Sequence, residues 1–434
     1  MKQLTRLFIP ICLETLFYML SGMVDTLMLS AVGDYAVGAV GTANSYIGIF
    51  IIMFSIISSG MVSVMTQNIG AGRPGVAYQA RQLGLLFNAV AGVLMAVFLF
   101  SGAGAILRMV GIADALYEPA LIYLKIVGGG CILNAVIPIF SSYLRAFGYT
   151  KQPLYATIVG NIANFVMNAV FLFVLHKGVA GVAIATVISK ILNLCIVLYF
   201  SHKLISAKNS TERIANKTVL GQIVKVGLPS ACETALYNVA MMLVIRFLNQ
   251  MDAEGLNVTA RSYTATISNF SYCVGAALAQ ANAIMTGWHI GAGELEECDR
   301  GTKRAAFVGV CVAVCMEIAI VLGSGFIMPL FTDNPEMTAL VRKLLAIDIV
   351  LEIGRVTNLV FGQALKTSGD AVFPAVIAAV FMFVFAVGGT WLFGISMGLM
   401  AVGAYIGLAS DECVRAVGMV WRWKTGKWRT KKLV

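Results

Sequence analysis

The sequence predicts an all-α polytopic membrane protein, with twelve transmembrane helices in two parallel six-helix repeats around a central cleft. Three observations carry this. Of 434 residues, 59% are hydrophobic and only 12% are charged, about half the charge of a typical soluble domain. The apolar residues fall in long runs, not in the short alternating strands of a β-barrel, and only helices and closed barrels satisfy every backbone group inside a bilayer. Finally, several motifs recur in the same order about half the chain further on.

Each span follows from the length rule. A helix crosses the hydrocarbon core in about 20 residues. Cutting the chain at Gly, Pro and charge clusters leaves apolar stretches near 7–31, 36–66, 83–107, 119–144, 153–175 and 179–201. Six more lie near 223–248, 258–288, 304–331, 339–365, 371–394 and 398–421. The first begins after Lys2 and Arg6 but carries Glu14 and Asp25, is too long for a signal-peptide core and has no clear cleavage site, so it reads as a retained span. The longest polar stretch runs from Ser201 to Lys225. It divides the chain into an N-lobe at 1–201, a cytoplasmic linker at 202–225, and a C-lobe at 226–434 that ends in a basic cytoplasmic tail.

The repeat is explicit. Pro10-x3-Glu14-Thr15-x2-Tyr18 returns as Pro229-x3-Glu233-Thr234-x2-Tyr237, Ile69-Gly70-Ala71-Gly72 as Ile290-Gly291-Ala292-Gly293, and Arg145-x2-Gly148 as Lys366-x2-Gly369. An even number of spans per half brings both halves in from the same side, with the pseudo-two-fold axis along the membrane normal. Ile-Gly-Ala-Gly with Arg73 reads as a helix-ending turn. As a phosphate-cradling loop it would need a preceding strand and a following Lys-Ser/Thr.

Net charge is +10, but nucleic-acid binding would need a basic patch with stacking aromatics, and the bases concentrate in particular loops instead. With the N-terminus placed in the cytoplasm, most of the 31 Lys and Arg fall on that side. Arg108, Lys125, Lys177, Arg246, Arg261, Arg342 and Lys343 fall outside, and Lys190 and Arg355 lie within apolar stretches. The positive-inside rule then places both termini in the cytoplasm of a multi-pass cell (inner) membrane protein, with Trp421 to Lys432 as a Trp-bearing interfacial anchor. The nine cysteines read as packing residues. Cys311 and Cys315 share a helix face, but no His accompanies them to make a metal site.

The informative charges are those inside the spans, because one at mid-bilayer costs about 2.5–3.5 kcal/mol on insertion scales. Glu14 and Asp25 lie three turns apart on one face of the first span, separated by roughly 16 Å. Either is open to a simpler reading, a carboxylate neutralised by a Lys or Arg. Asn161, Asn164 and Asn168 also share one face, on the fifth span. Three amides there could glue helices together, could join Asp25 around a hard cation, or could hydrogen-bond a protonatable Asp25. Glu233 repeats Glu14, and Tyr237, one turn on, offers a hydroxyl or ring to a substrate. Asp348, Glu352 and Arg355 form a stripe on the tenth span, where Arg355 either pairs with Glu352 as a structural or gating element or contacts substrate. Asp411 and Arg415 read as a structural pair, and Glu317 and Lys190 have no assignable partner. Met23, Met28, Met61 and Met65 would give a cleft an adaptable apolar wall.

Ile9-Pro10-x14-Asp25-Thr26-Leu27-Met28, Ile69-Gly70-Ala71-Gly72-Arg73 and Leu144-Arg145-Ala146-Phe147-Gly148 together resemble the multidrug and toxic compound extrusion (MATE) family. So do Leu228-Pro229-x3-Glu233, Leu365-Lys366-x2-Gly369-Asp370 and the tail Asp411-Glu412-x2-Arg415, and the resemblance covers the whole chain. It implies a twelve-helix antiporter that exports organic, often cationic compounds in exchange for Na⁺ or H⁺, with no cofactor beyond that coupling ion. It also implies a cation site at Asp25 with Asn164 and Asn168, which would be metal ligands if the ion is Na⁺. Asn168, where some branches carry an aspartate, resembles the NorM-like pattern. Glu233 matches the family's C-lobe acid, with Glu14, Tyr237, Glu352 and Arg355 as further substrate or gating residues. Arg355 stands where NorM-like members carry an aspartate, and would make the C-lobe a poor Na⁺ site.

The expected partners are a small organic substrate and the bilayer, with no nucleic acid, and the chain is expected to be a monomer. Two other readings are weighed. A lipid-linked saccharide flippase of the same superfamily would need an Arg-lined cleft, for which only Arg355 and Arg261 are available. A polytopic membrane transferase would need a catalytic His or acid cluster, whereas His176, His202 and His289 lie in expected loops beside no acidic motif.

Overall fold

The computed structural model describes residues 2–110, 112–205, 212–252 and 255–434. The part of the expected linker at 206–211 lies outside the described residues. Among the described residues the chain is helical throughout and holds no strand. It divides into two compact units, Thr5–Gly227 and Leu228–Val434, the latter grouped with Met1–Leu4.

The first unit holds α1 (Lys2–Ser30), α2 (Asp34–Gly70), α3 (Pro74–Val110), α4 (Asp114–Gly129), α5 (Cys131–Ala146), α6 (Lys151–Ala169) and α7 (Gly178–Leu204). Helix α8 (Asn216–Met251) crosses from the first unit into the second at Leu228, and α9 (Leu256–Ala292), α10 (Leu295–Ile327), α11 (Pro335–Ser368), α12 (Val372–Phe381) and α13 (Met400–Lys424) follow. Each expected span coincides with one helical run. The fourth is the pair α4 and α5, bent by 42° at Gly130. The fifth and eleventh continue from α6 and α12 into wider π turns at Val170–Val174, Met382–Val387 and Thr390–Ser396.

Among the described residues, eight helices are long and apolar enough to cross a membrane alone, and a ninth span results if α4 and α5 count as one. Helices α9, α11 and α13 fall short. Their apolar runs are interrupted by a polar stretch from Ser262 to Tyr272 after Arg261 on α9, by Asp348, Glu352 and Arg355 on α11, and by Asp411, Glu412 and Arg415 on α13. A polar helix in a membrane protein must turn its charges towards protein or water, so these three mark where the second unit keeps its chemistry.

Lipid tails are as apolar as leucine, so helices here associate through close packing and small residues. The first unit's core alternates Ala36, Ala39 and Ala103 with Phe54, Leu99 and Leu124. The second unit sets Ala401 and Ala404 against Leu344, Leu345 and Leu351. At Gly354 a Cβ would stand 2.7 Å from the Cys413 backbone nitrogen, so α11 and α13 touch backbone to backbone beside Arg355.

Both glycine motifs of the repeat are helix-ending turns of one design. Gly72 and Gly293 adopt φ of 74° and 79°. Arg73 N–H donates to the Asn68 carbonyl at 2.8 Å and Glu294 N–H to the His289 carbonyl at 2.8 Å. Gly148 and Gly369, at φ 85° and 97°, close α5 and α11 in the same way, through Tyr149 N–H to the Leu144 carbonyl and Asp370 N–H to the Leu365 carbonyl. These six-to-one bonds across a left-handed residue are Schellman caps.

Two expectations fail. The tail is not a free interfacial anchor: Trp423 and Trp428 are each only 1% exposed and stack at 4.2 Å. Trp423 Nε1 donates to Asp299 at 2.7 Å, Arg422 pairs with Asp370 and Arg429 with Glu296. The acids at the helix ends of the second unit hold the basic tail against it, and of the tail's three tryptophans only Trp421 is exposed. The methionine wall also dissolves. Met28 belongs to the first unit's core, Met61 packs over Gly84 and Met65 is fully buried, which leaves Met23 exposed.

Candidate functional site

In the first unit, side chains join α1 to α6. Asn161 Nδ2 donates to the Phe17 carbonyl at 2.9 Å, which is the gluing role. Asn168 does something else: its Nδ2 donates to Asp25 Oδ1 at 2.8 Å and to Asn164 Oδ1 at 3.1 Å. Asn164 and Asn168 are buried, and Asn168 Oδ1 has no hydrogen-bond partner among the described residues. The 3.6-residue period puts Asn164 and Asn168 one turn apart, and the π segment begins at Val170, just beyond them. Such wide turns recur at functional positions. The arrangement suits an ionised Asp25, with the amide N–H donating to it. Half a turn of the Asn168 amide would present its oxygen instead, to a cation or to the O–H of a protonated Asp25.

Glu14 shares the α1 face with Asp25 but is already paired, accepting from Arg145 Nη2 at 2.6 Å. In the second unit Glu233 takes Lys366 at 2.8 Å. Two of the repeated motifs are thus the two ends of one repeated ion pair, each linking the first helix of a repeat to the residue just before a Schellman cap. The spacing within either motif could not show this, but their joint recurrence was a signal for it.

The second unit encloses a cavity of 480 Å³ lined among others by Glu233, Tyr237, Arg261, Asp348, Arg355 and Arg415. Arg355 pairs with Glu352 one turn back, as expected, and reaches Glu412 at 3.7 Å. Spacing along α13 singles out no role for Glu412. It forms an ion pair with Arg415 at 2.9 Å and accepts from Asn358 at 3.0 Å, so it ties the α11 stripe to the Asp411–Arg415 pair, itself closed at 2.7 Å. The i, i+4 rule found Asp411 with Arg415 and hid its neighbour. Glu317 and Asp348 are buried nearby, within electrostatic reach of one another.

A wholly helical chain built twice over, with acids and amides held inside its spans, has the build of a secondary transporter. The comparisons agree. The MatE family model matches residues 10–170 and 229–392, once in each repeat. The chain is 32% identical over 428 residues, 97% of itself and 94% of the relative, to a Bacillus subtilis (strain 168) protein named "Uncharacterized transporter YisQ". It is 21% identical over 446 residues, 100% of itself and 94% of the relative, to "Probable multidrug resistance protein NorM" of Thermotoga maritima. An outward-facing multidrug resistance MATE transporter has the same fold, with a TM-score of 0.85 at 21% identity, covering 98% of this chain and 96% of the other. So has a Pyrococcus furiosus MOP-superfamily transporter described as having a binding pocket of reverse polarity, with a TM-score of 0.84 at 20% identity, covering 99% and 96%. The chain belongs to the MatE family: it is a polytopic membrane transporter of small molecules and not an enzyme.

Proposed function

We propose that the protein is a secondary antiporter that exports amphipathic, cationic organic compounds in exchange for Na⁺ or H⁺ by alternating access. Asp25, Asn164 and Asn168 form its coupling site, and Glu14, Glu233, Tyr237, Glu352 and Arg355 contact substrate or gate its passage. In this reading residues 1–201 and 226–434 act as lobes joined by 202–225, and the chain works as a monomer in the inner membrane with both termini cytoplasmic. The observation that carries the proposal is the bond from Asn168 to Asp25, which leaves one carboxylate and two amides gathered inside the spans with no basic side chain bonded to the carboxylate among the described residues.

A carboxylate left bare in this setting is costly. Coupling follows if either the ion or the cationic substrate must satisfy it before the access changes. The paired acids have a different part. Glu14 and Glu233 are held by Arg145 and Lys366, so a cation reaching either must displace a bond. The flippase reading is weaker, because Arg355, Lys366 and Arg415 of the second unit's cavity are already engaged by carboxylates, which leaves Arg261 as the base lining it that makes no ion pair among the described residues.

The test is efflux of a cationic dye from proteoliposomes under imposed ion gradients. Asp25→Asn is expected to lose gradient-driven efflux while keeping the wild-type melting temperature. Efflux equal to wild type in that variant would remove Asp25 from the mechanism.

A further inference from the structure

The ion pairs of the second unit's cavity leave two charges over. Arg261 on α9 and Asp348 on α11 both line it, and neither makes an ion pair among the described residues. Arg261 Nη2 donates to the Met241 thioether at 3.8 Å, and sulfur is a weak acceptor for a guanidinium with five N–H donors. Asp252, the acid that precedes α9, is taken up instead by the Leu256 and Asn257 N–H groups at 2.9 and 3.0 Å. Asp348 is 2% exposed, and its Oδ2 has no hydrogen-bond partner among the described residues. Arg355, two turns on along α11, is committed to Glu352 and Glu412. A charge inside a span needs a partner, water or a function.

The register of the helices sets how far apart these two charges stand. Helix α10 runs antiparallel to α9, meeting it at Leu278–Gly309 and Asn282–Thr302, and antiparallel to α11, meeting it at Gly309–Val356 and Ser324–Arg342. Helices α9 and α11 are therefore parallel, and a Cβ on Gly275 would stand 2.9 Å from Val356. Arg261 lies fourteen positions before Gly275, and Asp348 eight before Val356. That offsets the two charges by roughly 9 Å along the helix axes.

We propose that this cavity is a zwitterion site, in which Arg261 takes the carboxylate of an amphipathic substrate and Asp348 takes its cationic centre. The site rests on the reading of the protein as an exporter and adds an acid group to its cationic substrate. A planar guanidinium offers a carboxylate two parallel N–H donors. The open oxygen of Asp348 gains most from a charged N–H donor. A cation alone would satisfy Asp348 and leave Arg261 as it is, and an anion alone would do the reverse. A molecule carrying both ends satisfies both at once. Tyr237, Tyr272 and Tyr405 line the same cavity and can cover the apolar body between those ends.

The test is equilibrium binding of two dyes to the purified full-length protein: rhodamine 110, which carries a free carboxylate, and rhodamine 123, its methyl ester and a plain cation. Wild type is expected to bind the acid about tenfold more tightly than the ester. Arg261→Gln should weaken binding of the acid to the level of the ester and leave the ester unchanged. Asp348→Asn should weaken both by the same factor. Wild type that binds the ester as tightly as the acid would overturn the proposal, and this needs no variant to fold. So would a wild type with no saturable binding of the acid, or a folded Arg261→Gln that keeps the wild-type preference. Failure of the export reading looks different: the preference would hold in binding, but wild-type proteoliposomes would move neither dye under an ion gradient.

Discussion

Arg355 and Arg415 between them pair with Glu352, Glu412 and Asp411, and the side chains of Glu352, Asp411 and Arg415 are at most 6% exposed. Removing one side of such a network strands the charges opposite, which typically costs about 3–5 kcal/mol. Arg355→Met should therefore lower the melting temperature sharply in detergent, and a milder loss is expected from Glu412→Gln, whose amide oxygen can still accept from Asn358. An Arg355→Met protein as stable as wild type would contradict the network. The pair Glu14–Arg145 offers a second check. Glu14→Arg and Arg145→Glu should each impair folding, and the double exchange should recover much of the loss in a double-mutant cycle. At this scale the sequence was informative wherever partners lie on one helix. Arg355 with Glu352, Asp411 with Arg415, and Asn164 with Asn168 are all separated by about one turn. Contacts between helices were not readable that way: Glu14 meets Arg145 across 131 positions, and Lys190 meets Asn134 across 56.

Among the elements, the repeated Schellman caps differ in what surrounds them. A Cβ at Gly72 would meet open space, whereas one at Gly369 would stand 2.3 Å from the Lys431 carbonyl. Gly72→Ala should cost only the left-handed backbone penalty of about 1–2 kcal/mol. Gly369→Ala should cost more, because it also pushes the tail away. Equal losses in thermal unfolding would mean that the tail does not rest there. The tail is itself testable: Trp428→Ala removes the stacked partner of Trp423 and is expected to cost about 3–5 kcal/mol. Span positions were legible because a bilayer demands long apolar runs and the turns between them are rich in Gly and Pro. The tail was misread because tryptophans among basic residues have the same composition in an interfacial anchor and in a buried clasp. What separates the two is the position of Asp299, Glu296 and Asp370, and helix-end acids show no periodicity that would announce it.

For the whole molecule, the two repeats share a scaffold but not a chemistry. Each carries the same acid-to-base bond and the same two caps. The first adds a single acid, Asp25, among amides; the second adds a dense set of acids and arginines around its cavity. Ion coupling is assigned to the first and, apart from Glu14, substrate contact or gating to the second, so exchanging charges within one repeat should not reproduce the other. The most direct measurement of that account is ion movement driven by substrate. An imposed gradient of a cationic dye across proteoliposomes should drive H⁺ or Na⁺ in the opposite direction through the wild type, and Asp25→Asn should abolish the ion movement. Dye transport by the wild type with no opposing ion flux, or an equal ion flux in Asp25→Asn, would contradict it.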